Sequence, residues 1–267
     1  MNKMNQANRH YWNALASRWQ TLRDQDQLWR ECVKQPQLAF EGEALAMIHK
    51  YIGDLQDKRA LVIGSGDNYV AFALSGLGMQ VTSSDISSHQ LEIARQRADQ
   101  LGLHIKFVST DAAELTGIED DFYDLVCSSN GFFVWITEPA EVFRQVRRVL
   151  KPGGFYVFYD IHPFLRPWKN QARPLEMEKP YSETGPFEEH GEGGEVSYEC
   201  HWRLSDLLNP LLNAGLALQQ IAESPAQDAR FWEGHAYTPG HDQSLLNWRV
   251  NPRAGLPVWL TIAAQKP

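Results

Sequence analysis

The sequence lacks paired cysteines, a basic excess and any long apolar run. Cys32, Cys127 and Cys200 stand far apart in a chain of 267 residues. No CxxC pair exists, so neither a zinc site nor a disulfide framework is indicated, and free buried thiols in a reducing cytosol are expected. Lys and Arg number 25 against 33 Asp and Glu, a net charge of −8. An acidic chain has no general electrostatic help in binding phosphate backbones, which disfavours a nucleic-acid partner. No run of about 18 apolar residues occurs, so no membrane span is expected. Residues 1–30 are polar and charged, without the apolar region of a signal peptide, and a cytoplasmic location is the expectation. There is no internal repeat and no low-complexity tract.

What is present is the composition of an ordinary globular protein, 43% hydrophobic and 22% charged. One stretch stands out, "LVIGSGDNYVAF" at 61–72. An apolar run stops at Gly64-Ser65-Gly66 and restarts as an apolar segment of helical character. Two glycines around one small residue at a strand end suit a ligand that approaches the backbone closely.

Around it, strands and helices alternate. "RALVI" (59–63), "MQVTSSD" (79–85), "HIKFVST" (104–110), "FYDLVCSS" (122–129) and "FYVFYDI" (155–161) read as strands. Helices are expected over 68–77, over "ISSHQLEIARQRADQLG" and over "AEVFRQVRRVL", the last stopped by "KPGG". In the second of these, Ser87 and Gln90 have capping-box spacing, Leu91, Ala94, Ala98 and Leu101 form the apolar stripe, and Gly102 ends the helix. Ahead of them all, residues 5–22 carry Tyr11, Leu15, Trp19 and Leu22 on one helical face. Nearly continuous apolar strands with helical crossovers predict an α/β, doubly wound, mostly parallel sheet covered on both faces. Ligands of such sheets bind outside the carboxyl ends of the strands. Gly64-Ser65-Gly66 ends the first strand, Asp85 the second, Asp111 follows the third, and Ser128, Ser129 and Asn130 end the fourth. Four polar strand ends on one crevice carry more weight than any one of them, although Asp111 also reads as a helix N-cap.

The type of ligand follows from what the crevice lacks. A dinucleotide loop needs G-x-G-x-x-G, and Tyr69 stands where the third glycine would be. A phosphate-cradling G-x-x-x-x-G-K-[ST] run does not occur. Asp85 lies within reach of both hydroxyls of a ribose. The site therefore fits a ligand with a ribose and adenine but no phosphates.

At "LVIGSGDN", "VTSSDIS", "VSTDAAEL", "YDLVCSSNG" and "LKPGGFYVFYD" the sequence resembles the class I, Rossmann-like S-adenosylmethionine-dependent methyltransferases of small-molecule type. The resemblance implies a seven-stranded sheet whose last strand, "PVWLTIAAQ" (257–265), is antiparallel. It implies S-adenosyl-L-methionine as cofactor, with Gly64, Ser65 and Gly66 at its methionine part, Asp85 at the ribose and Ile86 beside adenine. Asp111 and Ala112 would meet the adenine edge, and Ser128, Ser129 and Asn130 would pass near the sulfonium. Two departures stand out. Val62 occupies the place where the family carries an acid two residues before the first glycine, and Asn68 replaces the third glycine. Asn tolerates left-handed φ, so the turn is expected to survive. The segment "YWNALASRWQ" is similar to the lid helix of such enzymes, which makes Trp19 and Tyr11 candidate cofactor contacts.

The expected organisation is a single domain over 1–267. It comprises a helical lid (1–58), a cofactor-binding core (59–161), a cap insertion (162–200) and the C-terminal part of the sheet (201–267). The implied activity is methyl transfer to a small organic acceptor, with no metal. His162, just after the fifth strand, is the candidate general base, ahead of His201. The cap carries Phe164, Trp168, Tyr181, Phe187 and Tyr198, and a later segment carries Phe231, Trp232, Tyr237 and Trp248. An aromatic, acidic cover suits a small neutral or cationic acceptor. "SSNG" is not the Asn/Asp-Pro-Pro-aromatic run of amide and base N-methyltransferases, which disfavours those substrates. The rival readings are a nicotinamide-dependent oxidoreductase, opposed by Tyr69, and a cofactor-binding protein without catalysis, favoured by Val62 and Asn68.

Overall fold

The computed structural model describes residues 1–170, 174–191, 193–233 and 242–267. Its centre is a seven-stranded sheet built from β1 (Arg59–Ile63), β2 (Gln80–Asp85), β3 (Ile105–Ser109), β4 (Tyr123–Ser128) and β5 (Leu150–Ile161), then β8 (Ala217–Ser224) and β9 (Trp259–Gln265). The remaining strands, β6 (Phe187–His190) and β7 (Val196–Glu199), form a separate antiparallel hairpin. The sheet order is β3-β2-β1-β4-β5-β9-β8. Neighbours from β3 to β5 run parallel, and β9 is antiparallel to both β5 and β8, as the family resemblance implies for 257–265.

Seven α-helices accompany these strands among the described residues: α1 (Lys3–Asp26), α2 (Leu28–Glu31), α3 (Ala44–Ile52), α4 (Tyr69–Gly76), α5 (Ser88–Leu101), α6 (Pro139–Val149) and α7 (Leu204–Asn213). β1 is buried on both faces because all of Ala60, Leu61, Val62 and Ile63 are apolar, which is what a central parallel strand requires. One core cluster packs α6 and α7 on the sheet through Val142, Phe143, Val146, Leu207 and Leu211. The other packs α3 and α4 on the opposite face through Met47, Ile48, Val70 and Leu74.

The direction of winding reverses between β1 and β4, and this opens the crevice. β2 lies on one side of β1 and β4 on the other, so the loops that leave their carboxyl ends part there. The expected capping box of α5 forms by half. The Ser87 hydroxyl accepts from the Gln90 amide at 3.2 Å, but the Ser87 amide donates to Asp85 and the Gln90 side chain turns to Gln20. "KPGG" also behaves differently from a simple stop. α6 ends at Val149, and Lys151 to Gly154 already belong to β5, where the pairing with β4 shifts register. Pro152 cannot continue a helix, and Gly153 at φ 80° absorbs the irregularity.

Candidate functional site

A cavity of about 560 Å³ lies over the carboxyl ends of β1 to β5. It falls within the roughly 300–1,000 Å³ of small-molecule sites. Gly64, Ser65, Gly66, Asn68, Asp85, Ile86, Asp111, Ala112, Ser129, Asn130 and Trp19 all line it, so residues far apart in sequence meet as the strand-end argument requires.

The glycine loop owes its shape to residues on either side. Gly64 takes φ 56°, and a Cβ there would stand 2.2 Å from the Phe132 ring, so a side chain is excluded. Gly66 takes φ 47° with nothing within 4 Å of its Cβ position, which leaves the backbone open to the cavity. Asn68 adopts φ 64° and serves in place of the missing glycine. Its side-chain nitrogen donates to the Gly66 carbonyl at 2.8 Å, and its side-chain oxygen accepts from the Ser83 hydroxyl. These two bonds fix a left-handed turn that an Asn tolerates and a bulkier residue would strain.

The Asp85 carboxylate accepts from the Gly66 amide at 2.9 Å and the Ser87 amide at 2.8 Å. Burial pushes its carboxyl group up, and the amides of Ser87 and Gly66 pull it back. A carboxylate oxygen has room for more than one donor, so this pair of oxygens remains able to take ribose hydroxyls. Asp111 accepts from Asn5 at 2.7 Å and from the Ala113 amide at 2.9 Å. The turn-capping role and the cavity-facing position are thus both realised in one side chain.

Two expected contacts lie elsewhere. Ser128, the last residue of β4, points away from the cavity, and its hydroxyl hydrogen-bonds the Tyr156 hydroxyl at 2.7 Å within the core. Strand residues alternate faces, so Ser129 is the one that turns to the crevice. His162 is also outside the lining. Its Nε2 lies 2.7 Å from Glu223 on β8, and its Nδ1 accepts from the Phe164 amide at 3.1 Å. Both ring nitrogens are engaged in holding the chain as it leaves β5, so the structure does not support a base at His162. His201 sits against the Phe187 ring and beside Glu199, likewise away from the cavity.

The cover also departs from expectation. None of Phe164, Trp168, Tyr181, Phe187 and Tyr198 lines the cavity. Phe164 packs against Trp168 and Tyr181 instead, and among the described residues of 162–200 only Glu199 reaches the lining. Phe231 packs on Trp259 of β9, while Tyr237 lies outside the described residues. The aromatic wall comes from α1 and the loop after β4. Trp12 meets Trp135 edge-on at 5.1 Å and Trp19 at 5.9 Å, and Tyr11 stacks on Trp135 at 5.7 Å.

Polar side chains dock α1 across the whole cavity mouth. Asn2 reaches Thr137, Asn5 reaches Asp111, and Asn13 takes a hydrogen bond from Ser87. Trp19 donates to Asp67 at 2.6 Å, Arg23 pairs with the same carboxylate at 2.8 Å, and Gln20 donates to Gln90 at 2.6 Å. Asn8 brackets the backbone of Tyr198 on β7, so helix and hairpin are fastened together. The sequence did not mark Asn5, Trp12, Asp67 or Trp135, and it marked Gln90 only as a capping residue. Trp12 is one residue off the stripe that marked Tyr11 and Trp19, and "GFFVWI" after β4 was the aromatic signal for Trp135.

The arrangement fits S-adenosylmethionine: a carboxylate at the end of β2, a side-chain-free glycine loop, and room for an adenine beside Ile86 and Asp111. Residues 61–158 match the family described as methyltransferase domain. The chain is 28% identical over 156 residues to a ubiquinone biosynthesis O-methyltransferase of Bordetella pertussis, a stretch covering 58% of this chain and 61% of that relative. The chain thus spans about three fifths of that relative's length. Its fold is shared with an S-adenosylmethionine-dependent methyltransferase from Mesorhizobium loti, at TM-score 0.62, 21% identity and coverage of 84% of this chain and 98% of that one. A geranyl diphosphate C-methyltransferase from Streptomyces coelicolor, solved with Mg2+, geranyl diphosphate and S-adenosyl-L-homocysteine, aligns at TM-score 0.57 and 14% identity, over 83% and 76% of the two chains. Fold, strand-end motifs and family match coincide on the same residues: 61–158 match a methyltransferase domain and lie within the Rossmann-like sheet shared with S-adenosylmethionine-dependent methyltransferases.

Proposed function

We propose that the protein transfers the methyl group of S-adenosyl-L-methionine to a small organic acceptor by in-line displacement. The observation that carries this reading is the cavity in which the ends of β1 to β4 meet a helix-borne aromatic wall. The cofactor supplies a methyl carbon already activated by a positive sulfur, so the chain's residues chiefly hold, orient and exclude water. Asp85 accepts the ribose hydroxyls, Gly64 to Gly66 let the ligand lie against the backbone, Asp111 and Ile86 border adenine, and Ser129 and Asn130 lie beside the sulfonium. Tyr11, Trp12 and Trp19 close over the cofactor and, with Trp135, exclude water and hold the acceptor against it, with orientation worth up to about 7–11 kcal/mol in favourable cases. No His base enters this account.

In this reading α1, within residues 1–58, is the lid over the core at 59–161. The 162–200 segment braces that lid through its hairpin, with Glu199 as its reach into the cavity. This revises the expectation that the aromatic residues of 162–200 touch the acceptor. The acidic lining suits a neutral or cationic acceptor and disfavours nucleic acid. Among the described residues no helix is long and apolar enough to cross a membrane, and Cys32, Cys127 and Cys200 are free and buried, which agrees with a cytoplasmic site of action. Calorimetric titration separates the readings. S-Adenosylhomocysteine is expected to bind at one site per chain while NAD gives no heat. Tight NAD binding would replace the methyltransferase with an oxidoreductase.

A further inference from the structure

The methionine end of the cofactor carries an α-ammonium, and a partly closed cavity must meet that charge. Val62, directly behind the glycine loop, is apolar and fully buried. Five carboxylates line the cavity: Glu41, Asp67, Asp85, Asp111 and Glu199. Four already accept from, or pair with, a named partner. Asp67 is held by Trp19 and Arg23, Asp85 by two backbone amides, Asp111 by Asn5 and the Ala113 amide, and Glu199 lies 3.4 Å from the His201 ring. Among the described residues no donor hydrogen-bonds the Glu41 carboxylate.

The position of Glu41 is fixed by its neighbours. The Tyr159 hydroxyl donates to the Ala39 carbonyl at 2.7 Å, and the Glu43 amide donates to the Thr261 hydroxyl at 3.3 Å. The segment before α3 is thereby pinned to β5 and β9. This puts Glu41 beside Tyr159 at the β5 end of the cavity, opposite the β2–β3 end that holds Asp85 and Asp111. A ligand whose ribose rests on Asp85 and which crosses the Gly64–Gly66 loop directs its amino-acid end toward that side.

We propose that Glu41 is the counter-charge for the α-ammonium of the bound cofactor. This assignment rests on the methyltransferase reading. Burial pushes the Glu41 carboxyl up to about 7, opposed by Arg230 in the turn at Ala229–Trp232 and reinforced by Asp228, which caps that turn, with Tyr159 facing it from β5. An acid displaced upward is charged above that value and neutral below it. An ammonium partner therefore gains its attraction as pH rises through about 7.

The test uses S-adenosylhomocysteine, its analogue without the α-amino group, and 5′-methylthioadenosine, which has no amino-acid end. Glu41→Gln, checked for folding by circular dichroism and thermal unfolding, is expected to weaken S-adenosylhomocysteine about 10- to 100-fold, the worth of a charged hydrogen bond. It should leave both other ligands within about twofold, since neither carries the group that Glu41 meets. In the unmodified protein, affinity for S-adenosylhomocysteine should fall as pH drops below about 7, with a flat profile in Glu41→Gln. An equal loss for all three ligands, or unchanged S-adenosylhomocysteine affinity, overturns the assignment. Failure of the unmodified protein to bind both S-adenosylhomocysteine and 5′-methylthioadenosine instead overturns the methyltransferase reading itself.

Discussion

Asp85→Ala is expected to weaken S-adenosylhomocysteine binding by about two orders of magnitude. Two charge-assisted hydrogen bonds to the ribose hydroxyls would be lost, at about 1.5–3 kcal/mol each, and the lower figure for both already gives that factor. The structure adds a second reason. Asp85 also accepts from the amides of Gly66 and Ser87, so its removal frees the glycine loop and the start of α5 together. Asp85→Asn keeps the volume and one acceptor oxygen, and its loss should fall between the parent and Asp85→Ala. Titration calorimetry on the three proteins checks this order. Unchanged affinity in Asp85→Ala would place the ribose elsewhere and dissolve the assignment of the crevice.

Deleting residues 1–26 should leave a folded sheet that has lost most of its cofactor affinity, again by about 100-fold. The core does not depend on α1. Its buried residues are Asn5, Asn8, Ala16 and Gln20, three of them polar, and its docking runs through side-chain hydrogen bonds to the strand-end loops. A helix held this way separates from the body at lower cost than one anchored by buried apolar surface, because water can replace the polar bonds. What the deletion removes from the ligand is the wall of Tyr11, Trp12 and Trp19. Three aromatic contacts at roughly 1 kcal/mol each correspond to the stated factor. A truncated protein with a cooperative thermal transition and undiminished S-adenosylhomocysteine affinity would show that α1 is a scaffold element and not a lid.

Much of the fold was legible because its signals are local. "RALVI" coincides with β1 residue for residue, and Ser87 and Gly102 cap α5 as their types dictate, Gly102 at φ 67°. The candidate site was legible where it sits on strand ends, since order along the chain and the parallel topology together bring Gly64, Asp85, Asp111 and Ser129 to one crevice. His162 and Ser128 misled for the same reason. Proximity to a strand end says nothing of which face a side chain takes, and that choice was settled by Glu223 on β8 and Tyr156 on β5, partners remote in sequence. Glu41 was invisible for a related reason. It belongs to no motif, and its place in the cavity depends on Tyr159 and Thr261 pinning a turn far upstream of them. The cap aromatics read as acceptor contacts because exposed rings suggest binding, yet Phe164, Trp168 and Tyr181 satisfy one another instead.

The central claim is that this crevice both binds the cofactor and gives up its methyl group. The direct measurement is incubation of the protein with methyl-deuterated S-adenosylmethionine and a metabolite extract, followed by mass spectrometry. The expected result is a small molecule that gains the labelled methyl group in proportion to the S-adenosylhomocysteine formed, with neither product appearing when Asp85→Ala is used at a cofactor concentration below its weakened affinity. Saturable S-adenosylmethionine binding with no labelled product and no S-adenosylhomocysteine would contradict it and leave a cofactor-binding protein without catalysis.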